Sequence, residues 1–364
     1  MSYRLKVALL FGGNNSEHEI SLVSAASVLK NLDPKKYEVF PIAIDKQGLV
    51  HLHQEDDLRT IEGPLPVQTE RSRPIPSLLV DAKFFIPVDV VLPIMHGTYY
   101  EDGCIQGLLK LAHVAYVGCD VLSSSIGMDK DMTRRIVCNN GIQSTRYQLI
   151  NKNMSDNDWT QILENAIANY GFPLFVKPCS LGSSVAIHKV NDKQQAFDAI
   201  KDAFQYDTEV LIEASIRGRE IEVAVLEDER NREVLTSVPG EIRVNHPNGF
   251  YSYDAKYINS QTSEYLIPAP LSAAWTQKIQ DTAKEIFIKL KCKGMARVDF
   301  FFDEQQQELY FNEVNTIPGF TAISLYPSMW RHSGLDFPTL LDSLIENAIV
   351  HYRTVKNLLT DYRV

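Results

Sequence analysis

Ala296-Arg297-Val298-Asp299-Phe300-Phe301-Phe302 and, after a short polar gap, Leu309-Tyr310-Phe311-Asn312-Glu313-Val314-Asn315 read as two β-strands with their charges on one face. Strand side chains alternate with period two, so Arg297 and Asp299 share a face, as do Glu313 and Asn315. Pairing as a hairpin centred on residue 306 sets Arg297 opposite Asn315 and Asp299 opposite Glu313. Two carboxylates and a carboxamide converging there make the hard-oxygen set that Mg²⁺ takes, with further ligands from phosphate and water. Isolated acids on strands are more often a solvated face with paired charges. Beside Phe and Val, however, bare carboxylates are costly unless paired or metal-bound. Pro318-Gly319-Phe320-Thr321-Ala322-Ile323-Ser324-Leu325 follows at once. Gly319 permits close backbone approach to a ligand, and Arg297 can sit beside a developing oxyanion.

A second cluster is Phe175-Val176-Lys177-Pro178-Cys179-Ser180-Leu181-Gly182-Ser183-Ser184-Val185. A lysine closing a strand before a loop of small residues suits phosphate, held by ammonium and backbone N–H groups. Taken alone it is more often an ordinary hairpin; its position upstream of a metal-binding face gives it weight. The sequence contains neither G-x-x-x-x-G-K-[ST] nor G-x-S-x-G, which argues against a P-loop and a serine hydrolase.

Bulk properties agree with a globular enzyme. At 364 residues the chain suits two or three domains, and 45% hydrophobic with 23% charged residues excludes disorder. A net charge of −10 argues against nucleic acid or an anionic membrane as the main partner. No apolar run approaches the length needed to span a bilayer, and Gly12-Gly13 cuts short the opening Val7–Phe11 stretch. The 5 cysteines are scattered and lack a C-x-x-C pair, which fits reduced thiols in the cytoplasm.

Along the chain, Lys6–Phe11 reads as a buried strand, and Leu22, Ala25, Ala26 and Leu29 as one face of a helix. Ser16 and Glu19 have capping-box spacing for that helix. Tyr37–Ile44 and Val88–Met95 read as further strands, and 46–80 as a long connection. Asp129–Asn140 reads as a helix. The pattern then becomes strand 174–177, loop 179–184, strand 185–190, helix 193–204 and a strand ending at Glu213. A tyrosine-rich segment at 250–257 and a helix over 273–290 precede the acidic hairpin.

Taken together, the motifs resemble the ATP-grasp superfamily, and within it the D-alanine–D-alanine ligases. Their anchors, in order, include Phe11-Gly-Gly-Asn-Asn-Ser-Glu17, His96-Gly-Thr-Tyr-Tyr-Glu101-Asp-Gly103 and Met128-Asp-Lys130. They continue through the Lys177 cluster, Leu211-Ile-Glu213, Phe250–Tyr257, Arg297-Val-Asp299 and Glu313-Val-Asn-Thr-Ile-Pro-Gly319. The resemblance implies an α/β (α+β) ATP-grasp architecture. It has an N-terminal open α/β domain (1–125), a small central α+β domain (126–213) and a C-terminal mixed-sheet domain (214–364) with a lid near 241–260.

It further implies that Lys130 and Lys177 hold ATP phosphates, while Glu213, Ala214, Ile216 and Glu220 surround adenine and ribose. Asp299, Glu313 and Asn315 would ligate two Mg²⁺, which Mn²⁺ can replace. Glu17, assisted by His96, would bind the first D-alanine; Lys256, Ser324 and Leu325 would bind the carboxylate of the second. Glu17, Ser183 and Tyr257 would close the lid, and Arg297 with the Gly319 N–H would stabilise the oxyanion. A homodimer in the cytoplasm is the implied form. The duller reading of Glu17 is an acid favoured at a helix start, and that of His96 a satisfied strand-end histidine. The chain departs from the family at Tyr100, usually glycine; at Ala186, frequently glycine; and at Ala214, often lysine. Rival readings are a D-alanine–D-lactate ligase, another ATP-grasp carboxylate–amine ligase, and a non-catalytic nucleotide sensor.

Overall fold

A computed structural model describes residues 3–81, 83–244, 263–359 and 361. The opening β1 (Leu5–Gly12) is buried from Val7 onward, and α1 (His18–Asn31), β2 (Tyr37–Ile44), β3 (Leu49–Leu52), α2 (Glu55–Arg59) and β4 (Ser72–Pro74) follow. A small β5 (Leu79–Val80) and β6 (Lys83–Phe84) hairpin precedes β7 (Val90–Ile94), α3 (Cys104–Leu111) and β8 (Ala115–Tyr116). The first sheet has the order β4-β3-β2-β1-β7-β8, parallel except for β3 and β4. Chain order reverses on either side of β1, so a crevice opens beyond the carboxyl ends of β1 and β7, where open α/β sheets bind ligands. Glu17 and His96 stand there.

Two details of this region differ from expectation. Ser16 and Glu19 do not form a capping box: the helix starts at His18, with Glu17 in the capping position. Asn15 accepts the Glu17 N–H and turns the chain there, while Glu19 pairs with Lys46 at 2.5 Å. The 46–80 connection carries β3 and β4, which extend the sheet antiparallel. They are anchored by the buried His51–Asp45 pair, 3.0 Å apart.

After α4 (Val121–Met128) and α5 (Lys130–Asn139), the second sheet uses β9 (Tyr147–Asn151), β10 (Leu174–Pro178), β11 (His188–Val190) and β12 (Glu209–Ala214), ordered β11-β10-β12-β9. Its apolar face packs on α6 (Asp156–Tyr170) and α7 (Lys193–Ala203). The strand expected over 185–190 is shorter because Ser183, Ser184 and Ala186 all have φ between 53° and 56°. That backbone cannot be extended, and at Ala186 it is one that glycine adopts more readily.

The third sheet comprises β13 (Arg219–Asp228), β14 (Glu233–Thr236), β15 (Gly240–Val244), β16 (Ser263–Leu266), β17 (Met295–Asp303) and β18 (Glu308–Asn315). Strand alternation sends Val223, Val298, Phe300 and Phe302 into one core with residues of α8 (Ala273–Lys289). The opposite face carries Glu222, Arg297 and Asp299. Finally α9 (Leu325–His332) and α10 (Phe337–Lys356) pack back on the first sheet, where Tyr326, Trp330 and Leu341 share a core with Leu9 and Phe11.

Candidate active site

The acidic hairpin pairs in the expected register: Arg297 faces Asn315 and Asp299 faces Glu313. Beyond Asp299 the register slips by one, pairing Phe300 with Phe311 and leaving Asn312 as a bulge. The mirror point at 306 therefore holds only for the half that carries the chemistry. Arg297 donates from Nε and Nη2 to Asp299 Oδ1 and Oδ2 at 2.8 and 2.7 Å, and Asn315 Nδ2 donates to Asp299 Oδ2 at 2.9 Å. Burial opposes charge on Arg297, but Asp299 and Glu222 outweigh it and raise its pKa above the ordinary value.

On the second sheet, Phe175 pairs with Glu213 and Lys177 with Leu211, so Lys177 and Glu213 meet diagonally on the face turned to the cleft. Their charges are 2.8 Å apart, and Glu213 also takes an ion pair from Arg134, a fully buried residue of α5. Burial pushes Lys177 down to about 8. Burial opposes the charge on Glu213 too, yet Arg134 and Lys177 hold its carboxyl below the usual range. Lys130, at the start of α5, donates to the Leu181 carbonyl at 2.6 Å and lies 3.7 Å from Glu313. Each cation of the site thus rests on one of its own carboxylates.

A cleft of about 390 Å³ between the second and third sheets is lined by Lys177, Glu213, Ala214, Ile216, Glu220 and Asp299, among others. A second, of about 480 Å³, reaches Glu17, His96, Ser183, Gly319, Ser324 and Leu325. Arg297, Glu222 and Glu313 line both and mark where the two clefts meet.

In the second cleft Glu17 accepts a short hydrogen bond from Ser183 Oγ, joining the first sheet to the loop after β10. Room for that carboxylate comes from glycines. A Cβ at Gly97 (φ +74°) would lie 2.3 Å from Glu17 Oε2, and one at Gly182 3.1 Å from it. The turn before Gly319 is pinned by the first domain: His96 Nδ1 bonds the Ile317 carbonyl at 2.9 Å and Glu101 accepts the Ile317 N–H at 3.0 Å. With Nδ1 so used, His96 Nε2 is a buried acceptor with no partner among the described residues, and burial lowers the ring's pKa. Burial and the nearby Glu17 raise Glu101 to about 8. Ser324 caps α9 in position but not by its side chain, which bonds Thr321 instead. The amides of the first turn of α9 remain a natural seat for a carboxylate.

Lys256, Tyr257 and the tyrosine-rich segment lie outside the described residues. Tyr100, noted above as a departure, is buried, and its hydroxyl donates to Asn14 Oδ1 at 2.7 Å. Sequence reasoning missed Arg134, Glu222 and the tethering role of Glu101. The signal for Arg134 was its i+4 spacing from Lys130 on one helix, and for Glu222 its period-two spacing from Glu220 on one strand.

Two sheets closing on a lysine–carboxylate pair, with an acid-bearing hairpin at the junction of the clefts, define an ATP-grasp fold. Models of the D-ala D-ala ligase N-terminus and C-terminus match residues 6–119 and 136–346. The chain belongs to the D-alanine–D-alanine ligase family. It is 51% identical over 363 residues to the D-alanine–D-alanine ligase of Legionella pneumophila strain Corby, covering 100% of both chains. The D-alanine–D-alanine ligase structure from Coxiella burnetii superposes with TM-score 0.80 at 34% identity, over 98% of this chain and 97% of that one. The VanG D-Ala:D-Ser ligase from Enterococcus faecalis gives TM-score 0.79 at 35% identity, over 95% of this chain and 100% of its own. Among the described residues no helix is long and apolar enough to cross a membrane.

Proposed function

We propose that this chain joins two D-alanines into D-alanyl-D-alanine for peptidoglycan precursor synthesis, with ATP activating the first as an acyl phosphate. The observation that carries the reading is the meeting of two clefts at Arg297 and Glu313, one suited to a nucleotide and one to a small amino acid. Lys130 and Lys177 would take the phosphates, with Ala214, Ile216 and Glu220 around the base and sugar, and Glu213 would contribute by aiming Lys177.

The donor set of Asp299, Glu313 and Asn315 fits Mg²⁺ by its hard oxygens and its position beside the lysines. When bound, Mg²⁺ (or Mn²⁺ in its place) would neutralise charge on the phosphates. Glu17 would hold the first ammonium, with His96 alongside, and Ser324 and Leu325 would seat the second carboxylate at the start of α9. The first D-alanine carboxylate attacks the γ-phosphate and ADP leaves; the second amine, deprotonated, then attacks the acyl carbon and phosphate is expelled. Arg297 and the Gly319 N–H would receive the oxyanion. The Glu17–Ser183 bond ties a loop over this chemistry, which protects an acyl phosphate from water. Tyr257 would complete that closure, and Lys256 would join Ser324 and Leu325 at the second carboxylate.

We carry the division at residues 125 and 213, the homodimer and the cytoplasmic location as parts of the same proposal. The similarity to a D-Ala:D-Ser ligase makes acceptor choice a matter for assay, with D-serine and D-lactate as competitors. Positional isotope exchange tests the activation step. ATP labelled with ¹⁸O in the β,γ-bridge should scramble its label in the presence of D-alanine, and absence of scrambling alongside dipeptide formation would argue for a concerted route.

The charge on Lys177 gives a pH signature. With its pKa held at about 8, the lysine is largely neutral in the free enzyme at higher pH, whereas phosphate favours the charged form. Binding ATP then takes up a proton, so Kd should rise above that pH, approaching about tenfold per unit. Calorimetry in two buffers of different ionisation enthalpy reads the proton directly, and a pH-independent Kd between 8 and 9.5 would contradict it.

A further inference from the structure

Glu222 is a buried carboxylate at the junction of the two clefts, and none of the roles above uses it. It lies on β13, directly across the ladder from Asp299, on a strand flanked by β15 and β17. The residue facing Arg297 on β13 is Ala224, whose small side chain leaves the guanidinium room to lean along the strand toward Glu222. Arg297 Nε is 2.9 Å from Glu222 Oε2 while donating to Asp299 Oδ1 at 2.8 Å. The Nε–H itself donates to Asp299, so Glu222 Oε2 meets Arg297 as a close buried charge contact, and both Asp299 oxygens are committed to the same arginine.

This arrangement is weakened when Asp299 serves a divalent cation. Two positive groups on one buried carboxylate repel, so a metal on the remaining lone pairs of Asp299 loosens its hold on the guanidinium. Arg297 is thus freed from Asp299 at the moment its charge is needed by the oxyanion. A released arginine in a partly desolvated cleft has several rotamers, and only one presents its fork to the acyl carbon.

We propose that Glu222 is a positioning residue, which retains Arg297 through Nε and so aims the guanidinium at the oxyanion once Asp299 is given over to metal. The proposal rests on the metal and oxyanion reading above. A carboxylate on a rigid central strand fixes the plane of a guanidinium by a charge-assisted contact. Ligand-free, the same carboxylate shares the arginine with Asp299.

A double-mutant cycle between Glu222 and Arg297 tests it. Glu222→Gln should lower kcat by about 10- to 100-fold, with KM for ATP changed by no more than about threefold. In an Arg297→Ala background the same substitution should cost nothing further. Mn²⁺ bound per enzyme in the ADP complex, read by electron paramagnetic resonance, should keep its stoichiometry, because Glu222 acts through the arginine. If Glu222→Gln does not fold, Glu222→Asp runs through the same cycle. Equal losses in both backgrounds, lost Mn²⁺ stoichiometry or undiminished kcat would each overturn the role of Glu222 while leaving the site reading intact. Full turnover by Arg297→Ala alone would instead remove the oxyanion role on which it rests.

Discussion

Glu313→Gln should lower turnover by about a thousandfold or more while leaving the protein folded. The substitution keeps the shape and one oxygen of the side chain and removes only its charge. Glu313 stands opposite Asp299 in the hairpin, 3.7 Å from Lys130, and lines both clefts. In the proposed mechanism charge at that point serves phosphoryl transfer, which depends on positioning and electrostatics more than on covalent chemistry by the protein. The fold needs it much less, because the side chain keeps 27% of its exposure and can be hydrated. Single-turnover ADP release separates the cases. An unfolded variant would recast Glu313 as structural, and a fully active one would place it outside the metal site.

Arg134→Met should destabilise the protein by about 3–5 kcal/mol, the cost of leaving buried charge without its partner. Arg134 has 0% side-chain exposure, an ion pair with Glu213 at 2.5 Å and a hydrogen bond from Nη2 to the Asn312 carbonyl at 3.2 Å. It therefore ties α5 to Glu213 on one sheet and to the bulge of another. Methionine fills much of the volume but can satisfy neither the carboxylate nor the carbonyl. Glu213 would then draw Lys177 more strongly, so KM for ATP should rise as stability falls. Urea unfolding measures the first effect and steady-state kinetics the second. A loss below about 1 kcal/mol would show that Lys177 alone suffices for Glu213.

Much of this was legible because the informative residues sit on regular strands. Period-two alternation in Arg297-Val-Asp299 and Glu313-Val-Asn315 placed four side chains on one face, and the register followed. The β2 bounds also matched, since Tyr37–Ile44 is a largely buried apolar run, parallel to β1, that continues through Pro41. What escaped depended on contacts between distant segments. The bulge at Asn312, stabilised by Arg134 from α5, has no local signature. Nor does the bond from Glu101 to the Ile317 amide, 216 residues away along the chain. Ser16 and Glu19 had correct capping spacing but lost to Asn15 and Lys46, both tertiary or turn effects. The family resemblance supplied the substrate, which strand geometry alone could not.

The most direct test is ADP release coupled to product identification by mass spectrometry, with ATP, Mg²⁺ and D-alanine, and with L-alanine, D-serine and D-lactate as comparison acceptors. The account predicts ADP and D-alanyl-D-alanine in one-to-one ratio, dependent on D-alanine. Folded protein that binds ATP yet shows no D-alanine-dependent turnover would contradict it, leaving the ATP-grasp fold without the substrate assigned to it.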